Sequence, residues 1–365
     1  ANVLADLDEV INGNYLPTSY DADNKGRITR WAAMAIKAKI YLFEGNWTQV
    51  KNITSTIMTE GGFKLFGSYA GLFEIANEYN SEVILDAQYR PTSREHQMMY
   101  VFLPPTLGGY SQLSPLQELV DSYIMLDGKT IKETGTSFDE SHPYANRDPR
   151  LKATVMYTGN SYTLADGTEV VINCEKGEGK DGYGVGSDCS ATGYYIKKYW
   201  DNTYRATLYS GLNPILIRYA DILLMNAEAL AELGELDKTA WDATIKPIRD
   251  RAGFTLASAL EFPEGASKDK LIEIVRNERR SELALEGHRH KDIIRWRIAD
   301  NVLNGWCHGL KTNDVVGTDD GYVRVENRTF NANKHYLWPI PQAERDLNGN
   351  LEVDFVAIDE NDLTY

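Results

Sequence analysis

The sequence predicts a mainly α-helical fold that carries a large insertion of loops and short strands. Three observations lead there. Residues 27–60 and 215–252 place apolar residues at helical spacing. Each of these segments breaks at a glycine that follows an alanine by seven residues. The intervening 61–214 loses the periodicity and fills with Gly, Tyr, Ser, Thr and Asn.

In "RITRWAAMAIKAKIYLFEGNWTQVKNITSTIMTE" (27–60), Ala33, Ile36, Ile40 and Tyr41 mark one apolar face. Gly45 punctuates it, and Trp47, Val50, Ile53 and Ile57 continue it in a second helix. Residues 215–252 repeat this grammar, with Ala227 before Gly234 as Ala38 stands before Gly45. A small residue there lets two antiparallel helices approach closely, and glycine supplies the left-handed turn. That is the logic of tetratricopeptide-like helical pairs, with a plain helical hairpin as the simpler reading. Within 61–214, "EVILDAQY" and "LKATVMYTG" predict short strands, and 157–172 predicts a hairpin turning at Asp166-Gly167. Helices are expected from 215 to about residue 304, one of them starting at an N-cap on Ser267. Residues 267–365 are thus expected to hold C-terminal helices and a Pro-punctuated tail, "HYLWPIPQAERDLNGN", lying over them. The whole of 1–365 is expected to form one domain.

Composition narrows the function classes. At 365 residues, with 42% hydrophobic and 25% charged, the chain can bury a large core and is ordinary for a globular protein. A net charge of −15 repels phosphate backbones and anionic lipid, so nucleic acid and membrane surfaces are excluded as primary partners. The 22 Tyr and seven Trp are a surplus that can fill a core, stack on sugar rings or anchor an interface. No apolar run reaches membrane-spanning length, and "ANVLADLDEV" is neither a signal peptide nor a lipid-attachment segment. Cys174 and Cys189 lie fifteen apart in a Gly-rich loop, where an oxidising compartment would allow a disulfide. Cys307 stands alone, and no zinc spacing occurs.

The most charged stretch is "NERRSELALEGHRHKDIIRW" (277–296). His288 and His290 are two apart, which on a helix points them to different sides and disfavours a shared metal. Residues 276–297 carry seven Lys or Arg against four acids, interleaved instead of segregated, unlike a nucleic-acid grip. Glu278, Arg279, Glu282 and Arg289 sit at spacings that suit an ion-pair lattice along a helix. The stretch is therefore expected to be scaffold, with Glu282 and Arg289 both serving stability. Carboxylates abound, so a glycosidase pair stays open, but nothing singles one out. Nucleophile-elbow and phosphate-loop motifs are missing. "DLNGNLEVD" from Asp346 puts Leu351 where a calcium loop needs Gly, and no Glu follows at the twelfth place. Loop oxygens in 175–188 could still ligate calcium, though the stretch reads first as flexible. No cofactor is expected beyond that option.

In order along the chain, "GRITRWAAMAIKAKIYLFEGNW", "SEVILDAQY", "SPLQELVDSYIMLDGK", "RDPRL", "TGYYIKKYW", "PILIRYADILLMNAEALAELG", "IKPIRDRAG", "IVRNERRSELALEGHRHKDIIRW" and "YLWPIPQAERDLNGN" resemble the SusD/RagB family. These are outer-membrane lipoproteins of Bacteroidetes. No single motif is decisive; the ordered series is. The resemblance implies a SusD-like helical scaffold whose loops bind a nutrient, most often a glycan and in a minority a peptide. It also implies a non-enzyme that sits at the cell surface as a lid on a SusC-like TonB-dependent transporter. Full-length members begin with a lipobox cysteine and further helices, so the lipid anchor is expected on a segment outside this sequence, along with part of the ligand site.

Binding residues differ between members, so loop aromatics are the guide. "PPTLGGYSQ" offers Tyr110 and Gln112, and the segment from the end of "TGYYIKKYW" through "DNTYRATLYS" offers Trp200, Tyr204, Arg205 and Tyr209. Sugar CH faces stack on such rings, and hydroxyls pair with Arg and amides. Tyr110, Gln112, Trp200, Tyr204, Arg205 and Tyr209 are the expected ligand-binding set.

Overall fold

The computed structural model describes residues 2–203, 207–312, 319–338 and 340–348. The chain opens with α1 (Asn2–Asn12), α2 (Arg30–Glu44) and α3 (Trp47–Glu60). Thr29 caps α2 by accepting the Ala32 N–H at 3.2 Å, and Asn46 caps α3 through the Gln49 N–H. Between them Gly45 takes φ 72°, which lets the chain reverse within two residues. Ala32, Ala35 and Ala38 are fully buried, so their missing bulk brings neighbouring helices close.

The insertion follows, with β1 (Val83–Asp86), α4 (Met98–Phe102), α5 (Gln117–Ser122) and α6 (Pro149–Thr154). It continues through β2 (Val155–Met156), β3 (Ser161–Thr163), β4 (Glu169–Val171), β5 (Tyr195–Ile196) and β6 (Ile215–Arg218). Among the described residues its strands pair in antiparallel twos: β1 with β6, β2 with β5, and β3 with β4. The β3–β4 hairpin turns at Asp166-Gly167 as expected, with Gly167 at φ 84°. Irregular as it is, this region has its own core, in which Tyr69, Tyr123, Tyr162, Tyr194, Tyr195 and Tyr199 are buried. Two of their hydroxyls show how such burial is satisfied: Tyr162 donates to the Ile196 carbonyl at 2.7 Å and Tyr195 to the Asp181 carbonyl at 2.6 Å. Much of the tyrosine surplus is thus interior.

The helical frame resumes with α7 (Tyr219–Leu233), α8 (Lys238–Ala252), α9 (Ala257–Leu260), α10 (Lys268–Glu282), α11 (Arg289–Arg295) and α12 (Ala299–Val302). α7 is buried on nearly every side and packs against α3, α8 and α10. Gly234 at φ 73° turns α7 into α8 as Gly45 turns α2 into α3, and Ser267 caps α10. In "LKATVMYTG" only Val155–Met156 are strand, because the residues before them continue α6 from its Asp148 cap, and three further boundaries differ from expectation. Residues 215–218 are strand, not helix, because Ile215 and Ile217 bury one face against β1. The helix of the charged stretch stops at Glu282, and Leu285 and Gly287 adopt positive φ before α11. Beyond α12 the chain forms a hairpin, β7 (Gly305–Lys311) with β8 (Tyr322–Arg328), where only helices and tail were expected. The tail adds α13 (Gln342–Leu347) and touches the frame where Tyr336 donates to Asp300 at 2.7 Å.

The charged stretch is scaffold, but not as a lattice along one helix. Glu282 reaches Arg150 of α6, Arg218 of β6 and Arg251 of α8. Glu278 pairs with Arg150 and Arg249, and Glu286 with Arg218 and Lys198. Asp148 and Glu82 complete a set of five cations and five carboxylates, none of whose side chains is more than 7% exposed. Arg279 joins a second group, with Asp221 and Asp292. Arg289 forms no ion pair among the described residues, so its expected part in the lattice is corrected.

Candidate functional site

A cleft of about 1070 Å³ opens between the insertion and the β7–β8 hairpin. One wall is the segment 138–147, which Arg147 pins in place. That buried guanidinium donates to the carbonyls of Val120 (2.7 Å), Tyr123 (2.7 Å) and Pro143 (2.8 Å). Three residues before this anchor, Tyr144 stacks on Tyr157 with centroids 4.0 Å apart and planes 17° apart. Tyr322 and Lys311 face them from the hairpin, and Lys311 reaches Glu140 at 3.2 Å.

A hydrogen-bond chain sets the polarity of Tyr144. Asp121 can only accept, so the Gln117 amide nitrogen donates to it at 2.7 Å, which turns the Gln117 carbonyl oxygen toward Tyr194. Tyr194 donates to that oxygen at 2.5 Å. The remaining 3.2 Å contact therefore has Tyr144 donating to Tyr194, which leaves the Tyr144 oxygen free to accept from a ligand hydroxyl. Burial pushes the Tyr144 phenol up to about 12, so it stays neutral and keeps this role.

The hairpin wall is tied to α5 through His308, whose ring meets Glu118 at 2.7 Å and Asp319 at 2.9 Å. Partial burial lowers the imidazole pKa, but the hydrogen bonds to Asp319 and Glu118 more than reverse this and raise it above its ordinary value. A raised pKa means the tie contributes fully below the unfolded value of about 6.5 and fades as pH climbs through the folded value. Amide exchange in β7 and β8 should accelerate as pH passes upward through that window, beyond the intrinsic rate. In His308→Ala the added acceleration should be gone.

The expected ligand residues divide. Tyr110 is 39% exposed and lies on Tyr100 with centroids 4.3 Å apart, forming a second aromatic surface. Its position depends on Gly109, where a Cβ would meet the Leu103 carbonyl oxygen at 2.1 Å. Gln112 and Tyr209 are exposed, and the segment before Tyr209 runs beside this platform, Leu208 lying 3.7 Å from a Cβ built on Gly108. Trp200 is apart from them: its indole donates to the Thr163 carbonyl at 2.8 Å and packs on Tyr162. Tyr204 and Arg205 lie outside the described residues. Trp200→Ala, at a half-buried ring, should cost about 0.5–3 kcal/mol of stability, whereas Tyr110→Ala should leave the denaturation midpoint unchanged; chemical unfolding of the two variants checks this.

Tyr100, Tyr144, Tyr157 and Tyr322 were not singled out by the sequence. Tyr144 had a signal, its place just ahead of "RDPRL", whose Arg147, Asp148 and Arg150 are all buried anchors. Cys174 and Cys189 are free thiols. His288 is half-buried beside Arg279 while His290 faces Trp338, and no cluster of three metal-ligating side chains occurs among the described residues. No helix among those residues is long and apolar enough to cross a membrane.

Comparison with known proteins agrees with this architecture. The model of the SusD family matches residues 72–353. A SusD-like protein of Formosa agariphila is 28% identical over 79% of this chain and 54% of its own length. A SusD-like protein of Bacteroides ovatus is 24% identical over 82% of this chain and 53% of its own. The chain spans about half the length of these curated relatives. Among solved structures, a SusD-like carbohydrate binding protein from Bacteroides fragilis superposes with a TM-score of 0.82 at 29% identity, covering 96% of this chain and 70% of that one. A second SusD-like protein of that organism gives 0.77 at 28% identity, covering 95% of this chain and 68% of that one.

Proposed function

This chain belongs to the SusD family, and on that premise we propose that it is a non-catalytic glycan-binding protein of the cell surface. It captures an oligosaccharide and passes it to a SusC-like TonB-dependent transporter, held to the outer membrane by a lipid anchor. The observation that carries the reading is the tyrosine-walled cleft. Tyr144 and Tyr322 offer rings for a sugar CH face, the Tyr144 oxygen accepts a hydroxyl proton, and Lys311 supplies a donor at the mouth. Tyr100 and Tyr110, with Gln112 and Tyr209 near them, form an outlying platform for a longer chain of sugars. The similar Bacteroides fragilis protein is itself described as carbohydrate binding, which favours a glycan over a peptide.

Binding without chemistry fits the carboxylates. Glu140, Glu175 and Glu178 border the cleft but are exposed, and Glu140 is engaged by Lys311. A glycosidase needs one carboxyl raised by a dry pocket to act as general acid. Calorimetric titration against soluble polysaccharides, laminarin among them, and against a peptide digest is the direct test. Binding to peptides alone, or release of sugar products from any glycan, would overturn the reading.

A further inference from the structure

A second groove, of about 580 Å³, runs along the outer face of α10 toward α11. α5 separates it from the cleft. Gln117 and Val120 of that helix line the cleft, while its Glu118 and Ser122 carbonyls accept from Arg280 and Asn277 of the groove. Asp269, Glu273, Arg276 and Arg280 follow one another at helical spacing, so the row runs from acid to arginine, with Asp269 and Arg280 about 16 Å apart at its ends.

At the arginine end the charges are not balanced. Arg276 is paired with Glu232 at 2.9 Å, and at the acidic end Glu273 holds Lys270 at 3.3 Å. Arg280 has a carbonyl oxygen as its partner, not a carboxylate. Arg289 forms no ion pair among the described residues. Its neighbour Asp292 is already held by Arg279 at 2.9 Å and by Arg295 at 2.8 Å. Arg280 and Arg289 both border the groove, and burial together with Arg280 pushes the Arg289 guanidinium down to about 10. Two partly desolvated cations share one groove in a chain whose net charge is −15. Their mutual repulsion is what a bound anion would relieve.

We propose that Arg280 and Arg289 form an oxyanion site that takes a carboxylate or sulfate group, independent of the tyrosine-walled cleft. Guanidinium forks match both groups through paired N–H donors, which a lysine ammonium does not. The two chemistries, carboxylate and sulfate, separate in the test.

Isothermal titration at constant ionic strength, with sodium sulfate, sodium glucuronate and glucose as probes, reads the site directly. Sulfate and glucuronate should bind with dissociation constants on the order of 1 mM, and glucose should not bind here. Arg289→Gln and Arg280→Gln should each weaken both anions at least about tenfold, while Tyr144→Ala leaves them unchanged. Glucuronate binding more tightly than sulfate would assign a carboxylate; the reverse order would assign a sulfate. Arg289→Gln removes no ion pair and only a distant contact with the Trp296 ring, 5.9 Å from its centroid, so its thermal midpoint should stay close to the parent and serve as the folding control. Selenate soaked into crystals should give an anomalous peak between the two guanidinium groups. Equal anion affinity in the parent and both variants, or no anion binding to the parent, would overturn the proposal. Failure of glycan binding at the cleft would not.

Discussion

Glu282→Ala should lose about 3–5 kcal/mol of folding free energy, a larger loss than any other substitution named above. Glu282 is fully buried and neutralises parts of three guanidinium groups, on α6, β6 and α8. Deleting the carboxylate leaves Arg150, Arg218 and Arg251 with too few counter-charges in a place water cannot reach. The expected phenotype is separation of the insertion from the helical frame, since Arg150 belongs to one and Arg251 to the other. Urea denaturation should show a lowered midpoint, and a change in slope would report that the two halves no longer unfold together. Arg289→Ala should stay within about 0.5 kcal/mol of the parent. A midpoint for Glu282→Ala equal to that of Arg289→Ala would refute this role for the network.

The same network sets the acid limit. Burial pushes the Glu286 carboxyl up, but Arg218 and Lys198 more than reverse it and hold it at about 2. Burial acts likewise on Glu282, where Arg251, Arg218 and Arg150 win and keep it far below the usual carboxylate range. Both folded values lie below the unfolded one of about 4.3, so their contribution is complete above that pH and is lost as pH falls toward 2. Acid titration followed by tryptophan fluorescence should show unfolding within that window.

The second large effect concerns ligand. Tyr144→Ala should weaken oligosaccharide binding at least tenfold, about 1.4 kcal/mol, because it removes the stacking face and the accepting oxygen together. Tyr144→Phe separates the two contributions: it keeps the ring on Tyr157 and loses only the hydroxyl, so it should fall between Ala and the parent. Tyr110→Ala should cost less, since its platform lies outside the cleft. Equal affinities for Tyr144→Ala and the parent, in a folded variant, would move the site away from the cleft and toward Tyr100 and Tyr110.

Local features of the chain are legible in its sequence. Helix periodicity, the Gly45 and Gly234 turns, the Ser267 cap and the Asp166-Gly167 hairpin each depend on residues a few positions apart, and each is where the spacing placed it. The order of motifs along 365 residues also marked the family, because it samples the whole chain at once. Tertiary structure alone decided the rest. Glu282 finds Arg218 across 64 positions and Arg150 across 132, so no spacing within 277–296 could name its partners. "ILIR" became a strand because β1 lies beside it, and Tyr144 became a cleft wall because Arg147 fastens its segment to α5. "NERRSELALEGHRHKDIIRW" shows both sides of this: its charge pattern marked it as scaffold, while folding alone selected which arginines it would neutralise and left Arg280 and Arg289 over.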